Sequence, residues 1–137
     1  MNVQELMTNV GHFAAYFGLS LTLLVLFKFA YATVTPHDEW KLIKEEKNVA
    51  ASLGFGGAII GFAIALGGVV SNSVSLLDFA IWGAIALLAQ SLAFLLVRAL
   101  FMPAIVARIE ANEISAGVML GTTSVAVGLL NAACMTY

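Results

Sequence analysis

Apolar residues along this chain fall into four long runs separated by short polar segments. The hydrocarbon core of a membrane is about 30 Å thick, and a helix needs roughly 20 residues to cross it. The pattern therefore predicts four membrane-spanning helices, near Phe13–Val34, Asn48–Val70, Leu77–Met102 and Ile114–Met135. Residues 1–11 are polar and lack the basic segment and cleavage site of a signal peptide, so we expect the first span to remain in the protein.

Composition places these runs in lipid rather than in a soluble core. Hydrophobic residues make up 61% of the chain and charged residues 10%, whereas about a quarter of the residues of a soluble domain are charged. A chain of 137 residues is too short to hide this much apolar surface from water. We expect an all-α integral membrane protein that forms a single transmembrane domain over residues 1–137.

The basic residues predict the orientation. All of them lie in or beside the segments that follow the first and third spans: Lys28, Lys41, Lys44, Lys47, Arg98 and Arg108. Because Lys and Arg are retained on the cytoplasmic side, both segments should face the cytoplasm and both termini the opposite side. Lys28 and Arg98 fall within the last turns of their spans, where they are expected to act as membrane anchors whose charges reach the headgroups.

The chain also matches itself at an offset of 67 residues. This shift pairs Pro36 with Pro103, and it pairs Glu46, Gly54 and Gly61 with Glu113, Gly121 and Gly128. The matches predict a duplicated two-helix hairpin, with one copy over about residues 1–70 and the other over about 71–137. Because each copy crosses the membrane twice, the two copies should be parallel and related by an axis along the membrane normal.

Small residues recur every three or four positions on the second and fourth spans, which places them on one helix face. Helices in lipid associate where small residues let their backbones approach closely. We expect these stripes to be packing surfaces, joining the two spans to each other or to another protomer, and we expect a homo-oligomer. The packing residues are Gly54, Gly57 and Gly61 on the second span and Gly117, Gly121 and Gly128 on the fourth.

The segments that follow the first and third spans carry helix signals. Thr35 is a plausible N-cap with Pro36 at the first helical position, and the matching segment starts at Pro103. Apolar residues then alternate with charged ones, which favours short helices at the level of the lipid headgroups. Alternatively, the first segment docks a cytoplasmic partner through Trp40 and its charged neighbours.

Few residues point to chemistry. Cys134 is the single cysteine, and His12 and His37 fall on opposite sides of the predicted bilayer. No catalytic, cofactor-binding or metal-binding set is predicted, so we expect neither an enzyme nor a cofactor. The chain has no basic surface large enough for nucleic acid.

Polar residues inside the spans are the remaining candidates for function. Gln90, Ser91 and Asn131 lie at membrane depth, where they either bond across helices or line a polar pathway for a small solute or ion. Glu46, Asn48 and Glu113 lie at the cytoplasmic ends of the second and fourth spans. There they either cap the helices or form a gate or cation site.

Three stretches carry a resemblance over nearly the whole chain: TPHDEWKLIKEEKNVAASLGFGGAIIGFAIAL, WGAIALLAQ and GLLNAACMTY. They resemble the YjfL-type family of small bacterial inner-membrane proteins, a domain of unknown function. That resemblance implies a duplicated helix pair, the bacterial inner membrane and an envelope-stress context, since the family's genes often neighbour those for membrane-stress proteins and for enzymes related to glutathionylspermidine synthesis. It implies no catalytic residue, and the PHDEW of the first half is absent from the second.

The sequence thus favours a non-enzymatic oligomeric membrane protein with a structural or envelope-stress role. One alternative is a small channel or transporter for an ion or small solute, polyamine-related solutes included. Another is a membrane anchor for a cytoplasmic partner such as a stress-response protein.

Overall fold

A computed structural model describes residues 2–135, and every regular element in that range is helical. The end of the predicted second repeat, Thr136 and Tyr137, and the first residue of the first repeat, Met1, lie outside the described residues. Four of the helices are long and apolar enough to cross a membrane, as predicted. The elements are α1 (Val3–Val34), α2 (Glu39–Lys44), α3 (Val49–Asn72), α4 (Leu76–Leu96) with a π-helical turn (Val97–Phe101), α5 (Ile105–Glu110) and α6 (Ile114–Ala133).

Helix α1 begins well before the predicted first span. The Asn2 side chain accepts a hydrogen bond from the Glu5 backbone N–H at 2.8 Å, which caps a helix of 32 residues. Such a helix is about 48 Å long, more than the hydrocarbon core requires. The polar residues that precede the predicted span are therefore part of the same helix from Val3 onward.

The predicted start of the first short helix is wrong. Thr35 ends α1 instead of capping α2, because its backbone N–H and its hydroxyl both bond to the Tyr31 carbonyl at 3.1 Å. Asp38 is the cap, accepting from the Lys41 N–H at 3.1 Å. Two capping residues compete in this segment, and the first is used by the preceding helix.

The two halves of the chain follow the same order, a long helix, a short helix and a long helix. Each short helix is followed by one residue with positive φ, Lys47 at 52° and Asn112 at 59°. These two residues are 65 positions apart, slightly less than the offset of 67 that aligns the prolines. The duplication itself stays a prediction, as does the interfacial position of α2 and α5.

The α3–α6 pair forms the centre of the bundle, and α4 packs against both of these helices and against α1. Aromatic rings fill the space between α1, α3 and α4. Phe27 stacks on Phe62 with 4.7 Å between ring centroids, and Tyr31 lies 6.0 Å from Phe55 and 6.2 Å from Phe94. These contacts bury one face of the C-terminal half of α1, at Leu23, Phe27 and Tyr31, whereas its N-terminal half is largely exposed.

All six packing glycines lie in the contact between α3 and α6. Five of them face the backbone of the other helix so closely that an added Cβ would overlap it, and a Cβ at Gly54 would lie 2.9 Å from a Leu120 side-chain carbon. The contact is within one chain, one of the two alternatives that the sequence left open. The expected homo-oligomer therefore needs a different surface.

Candidate functional site

The two amides at membrane depth join α4 to α6. Gln90 is fully buried, and its Nε2 donates to the Ser124 carbonyl at 2.7 Å. The Asn131 Nδ2 donates to the Ala86 carbonyl at 3.1 Å. Bonds of this kind are worth about 0.6–1.7 kcal/mol each in membrane helices. Both donors are thus used between helices, whichever further role the amide oxygens have.

Ser91 does not share this arrangement. Its hydroxyl donates to the Leu87 carbonyl of its own helix at 2.9 Å. Such a bond satisfies the hydroxyl locally. Of the three residues predicted to line a pathway, Ser91 is therefore the one whose side chain is least available to bind a solute.

Buried polar atoms without a hydrogen-bond partner are concentrated in one place. Within residues 2–135, all such side-chain atoms belong to five residues: the Gln90 Oε1, the Ser124 Oγ, the Tyr31 Oη, both ring nitrogens of His37 and the Glu39 Oε1. Native proteins leave few buried polar groups unsatisfied, so a group of them marks a place for water, an ion or a ligand.

These five residues follow one another through the bundle, and we call them the polar column. Gln90 reaches the backbone of Ser124, and the Ser124 hydroxyl lies beside that of Tyr31 without forming a well-aligned hydrogen bond. Tyr31 is within electrostatic reach of Glu39, whose Oε1 lies 3.2 Å from the His37 Nε2. The column thus leads from the α1–α2 connection to the middle of α4.

A cavity of about 330 Å³ adjoins the end of the polar column that lies at α2. His37 and Glu39 contribute to its wall, together with Lys28, Thr35, Trp40 and Phe55. A cavity of this size is at the lower end of those that hold small ligands. In the described residues no group of three or more His, Cys, Asp or Glu could hold a metal ion.

The expected anchors and the loop tryptophan lie at the same end of the bundle. The Lys28 ammonium is 4.3 Å from the centroid of the Trp40 ring, and that of Lys44 is 5.6 Å away. Both distances are within the range of cation–π attraction. Arg98 is exposed in the π-helical turn. Which side of the membrane this end faces stays a prediction.

The three residues proposed as caps or gate have separate roles. Asn48 caps α3 by accepting from the Ala51 N–H at 2.8 Å, and its Nδ2 donates to the Ile109 carbonyl at 2.8 Å. Glu113 has no capping bond and pairs with Arg108 at 2.8 Å on the surface. Glu46 is exposed. The structure does not bring these residues together into one site.

The family model described as Domain of Unknown Function (DUF350) matches residues 5–135. The chain belongs to this family. It is 45% identical over 125 residues to the UPF0719 inner membrane protein YjfL of Escherichia coli strain K12, a match that covers 91% of this chain and 93% of the relative. The protein of the same name from Escherichia coli O157:H7 matches equally. No solved structure shows a significant match.

The resemblance inferred from the sequence is thus confirmed. The sequence did not, however, predict most of the polar column of this DUF350 chain. Tyr31 had no polar neighbour in sequence to mark it, and Ser124 was one member of a small-residue stripe. The segment that holds His37 and Glu39 was assigned to a short helix at the level of the lipid headgroups. One signal was present: the PHDEW segment that holds both residues occurs in only one half of the chain.

Proposed function

We propose that this chain is a non-enzymatic inner-membrane protein that binds a small ion or polar solute and passes it through the bundle. The apolar helices and the inner-membrane relatives support the location. One observation carries the rest: the buried polar atoms that lack a well-aligned hydrogen bond form the polar column and adjoin a cavity at one end. A merely structural bundle would gain stability by replacing such atoms with apolar ones.

The proposed orientation puts the cavity on the cytoplasmic side. Lys28, Lys41 and Lys44 all lie on the segment that forms this end of the bundle, and cytoplasmic segments retain basic residues. A solute would enter from the cytoplasm past Trp40. It would then meet Glu39 and His37 before the hydroxyls inside the bundle.

Flux through the purified protein tests this function. We expect proteoliposomes to show a flux of small ions or solutes that Gln90→Leu strongly reduces, since leucine keeps the volume and removes the amide oxygen. Ser91→Ala is the matched control, because its hydroxyl is bonded within its own helix. Circular dichroism and gel filtration would show that both variants fold. Wild-type protein without flux under any gradient, or equal flux in the two variants, would contradict the proposal.

A second candidate is a structural or envelope-stress component, either oligomeric or anchoring a cytoplasmic partner through Trp40. The favouring observation is the outer side of the α3–α6 pair, where a groove of about 310 Å³ is lined by Gly56, Ile60 and Thr122 among others. Small residues on a lipid-facing groove permit close helix association. Absence of flux would put this candidate first.

A further inference from the structure

Glu39 and His37 form a buried acid–base pair at the top of the polar column. The two side chains are 7% and 1% exposed, and the carboxylate Oε1 lies 3.2 Å from the imidazole Nε2. The ring of Phe94 lies 5.6 Å from that of His37 on the inner side. The Nε2 and the Oε1 are paired with each other without forming a well-aligned hydrogen bond, and the Nδ1 has no hydrogen-bond partner.

Burial limits the net charge that this pair can carry. An isolated buried carboxylate is costly, so the pair is most stable when it is neutral. It is neutral when it holds one proton, either as imidazolium with carboxylate or as imidazole with carboxylic acid.

The charged neighbours of the pair include Lys28 and Asp38, which line the same cavity, and Lys44. The Lys28 ammonium lies 4.3 Å from the centroid of the Trp40 ring, and the Lys44 ammonium lies 5.6 Å from it. The Asp38 carboxylate accepts a hydrogen bond from the Lys41 backbone. On the inner side, α3 presents Phe55, α4 presents Phe94, and α1 presents Tyr31, whose ring lies 6.2 Å from that of Phe94.

We propose that Glu39 and His37 hold one exchangeable proton, and that a small monovalent cation entering the adjoining cavity replaces it. Loss of the proton leaves one negative charge on the pair, and the bound cation restores neutrality. The carboxylate Oε1, free of other partners, is the expected ligand, and the aromatic rings of Trp40 and Phe55 border the same space. This inference rests on the proposed function and makes it an exchange of protons for cations.

Proton release in weakly buffered detergent solution tests the site without requiring flux. Sodium, potassium or ammonium chloride is added to the purified protein with a pH indicator, and N-methylglucamine chloride at equal ionic strength is the salt control. We expect at least one of the three cations to release about one proton per chain, because one cation replaces one proton in a neutral site. Glu39→Gln should abolish the release, whereas Glu45→Gln, a carboxylate exposed at the end of α2, should release protons as the wild type does.

A second measurement does not depend on how the variants fold. Infrared difference spectra of the wild type should show ionisation of a carboxylic acid, or deprotonation of an imidazolium, when the cation is added. No release with any of the three cations, or equal release from Glu39→Gln and Glu45→Gln, would overturn the inference.

The two proposals fail separately. If flux persists in Glu39→Gln and the wild type releases no proton when a cation is added, the proposed exchange site is wrong but the proposed pathway still stands. If the wild type releases the proton but shows no flux, the exchange site is supported and the proposed pathway is wrong.

Discussion

Gly61 is a position at which one added methyl group should disrupt two contacts at once. A Cβ there would overlap the Ser124 carbonyl and lie 2.5 Å from the Gln90 Nε2. On the same helix, a Cβ at Gly56 would meet nothing within 4 Å. Gly61→Ala and Gly56→Ala are therefore the same chemical change in a closed and an open environment.

The magnitude follows from two contributions. The Gln90–Ser124 hydrogen bond of 2.7 Å would be lost or weakened, at about 0.6–1.7 kcal/mol. Forcing α3 and α6 apart adds an overpacking cost of about 1–3 kcal/mol. We expect Gly61→Ala to lower the free energy of unfolding by about 2–5 kcal/mol, a large part of the 5–15 kcal/mol typical of proteins. Gly56→Ala should be neutral or slightly stabilising, because alanine favours the helix.

Reversible denaturant unfolding in mixed micelles, followed by circular dichroism, would measure both variants against the wild type. The comparison between them removes the contribution of helix propensity. Equal stability of Gly61→Ala and Gly56→Ala would refute the close approach of α3 and α6 at this level. Gly61→Leu, with a larger side chain, should prevent the two helices from packing, which native gel migration would show.

Two further predictions concern the ends of the helices. Asn48→Ala removes the cap on Ala51 and the bond to Ile109, and should cost about 1–3 kcal/mol in the same unfolding assay. The control Ser52→Ala, exposed and bonded only within its own helix, should change little; equal losses would contradict the role of Asn48. Cys134, exposed at the end of α6, should react with a membrane-impermeant maleimide on intact spheroplasts, with Cys134→Ser as the blank. Labelling only after lysis would reverse the proposed orientation.

Span positions were predictable because they depend on local composition. The ends of α3 and α6 at Asn72 and Ala133 lie within two residues of the predicted ends, and both begin within one residue of the prediction. Helix caps were harder, because Thr35 and Asp38 are both good capping residues and only the preceding helix decided between them. The first helix was extended by a cap at Asn2, which hydropathy does not detect.

The polar column was harder to predict than the spans, because its members come from distant parts of the chain. Gln90 could be recognised as unusual for its depth, yet its partner is a backbone carbonyl 34 residues away. Glu39 and His37 lie outside the long apolar runs, so their pattern indicated a surface at the headgroups. Their burial follows from how the α1–α2 connection packs on Phe94 and Phe55.

By itself the sequence determined the solvent of this protein, the number of its long helices and the stripes of small residues on two of them. The patterns of hydropathy and residue size repeat within one or two helical turns, so they can be recognised in a single sequence. The tertiary structure alone decided that the stripes face each other within one chain, and that Tyr31, His37, Glu39, Gln90 and Ser124 meet. These contacts depend on how the helices pack side by side, and no local sequence pattern encodes that arrangement.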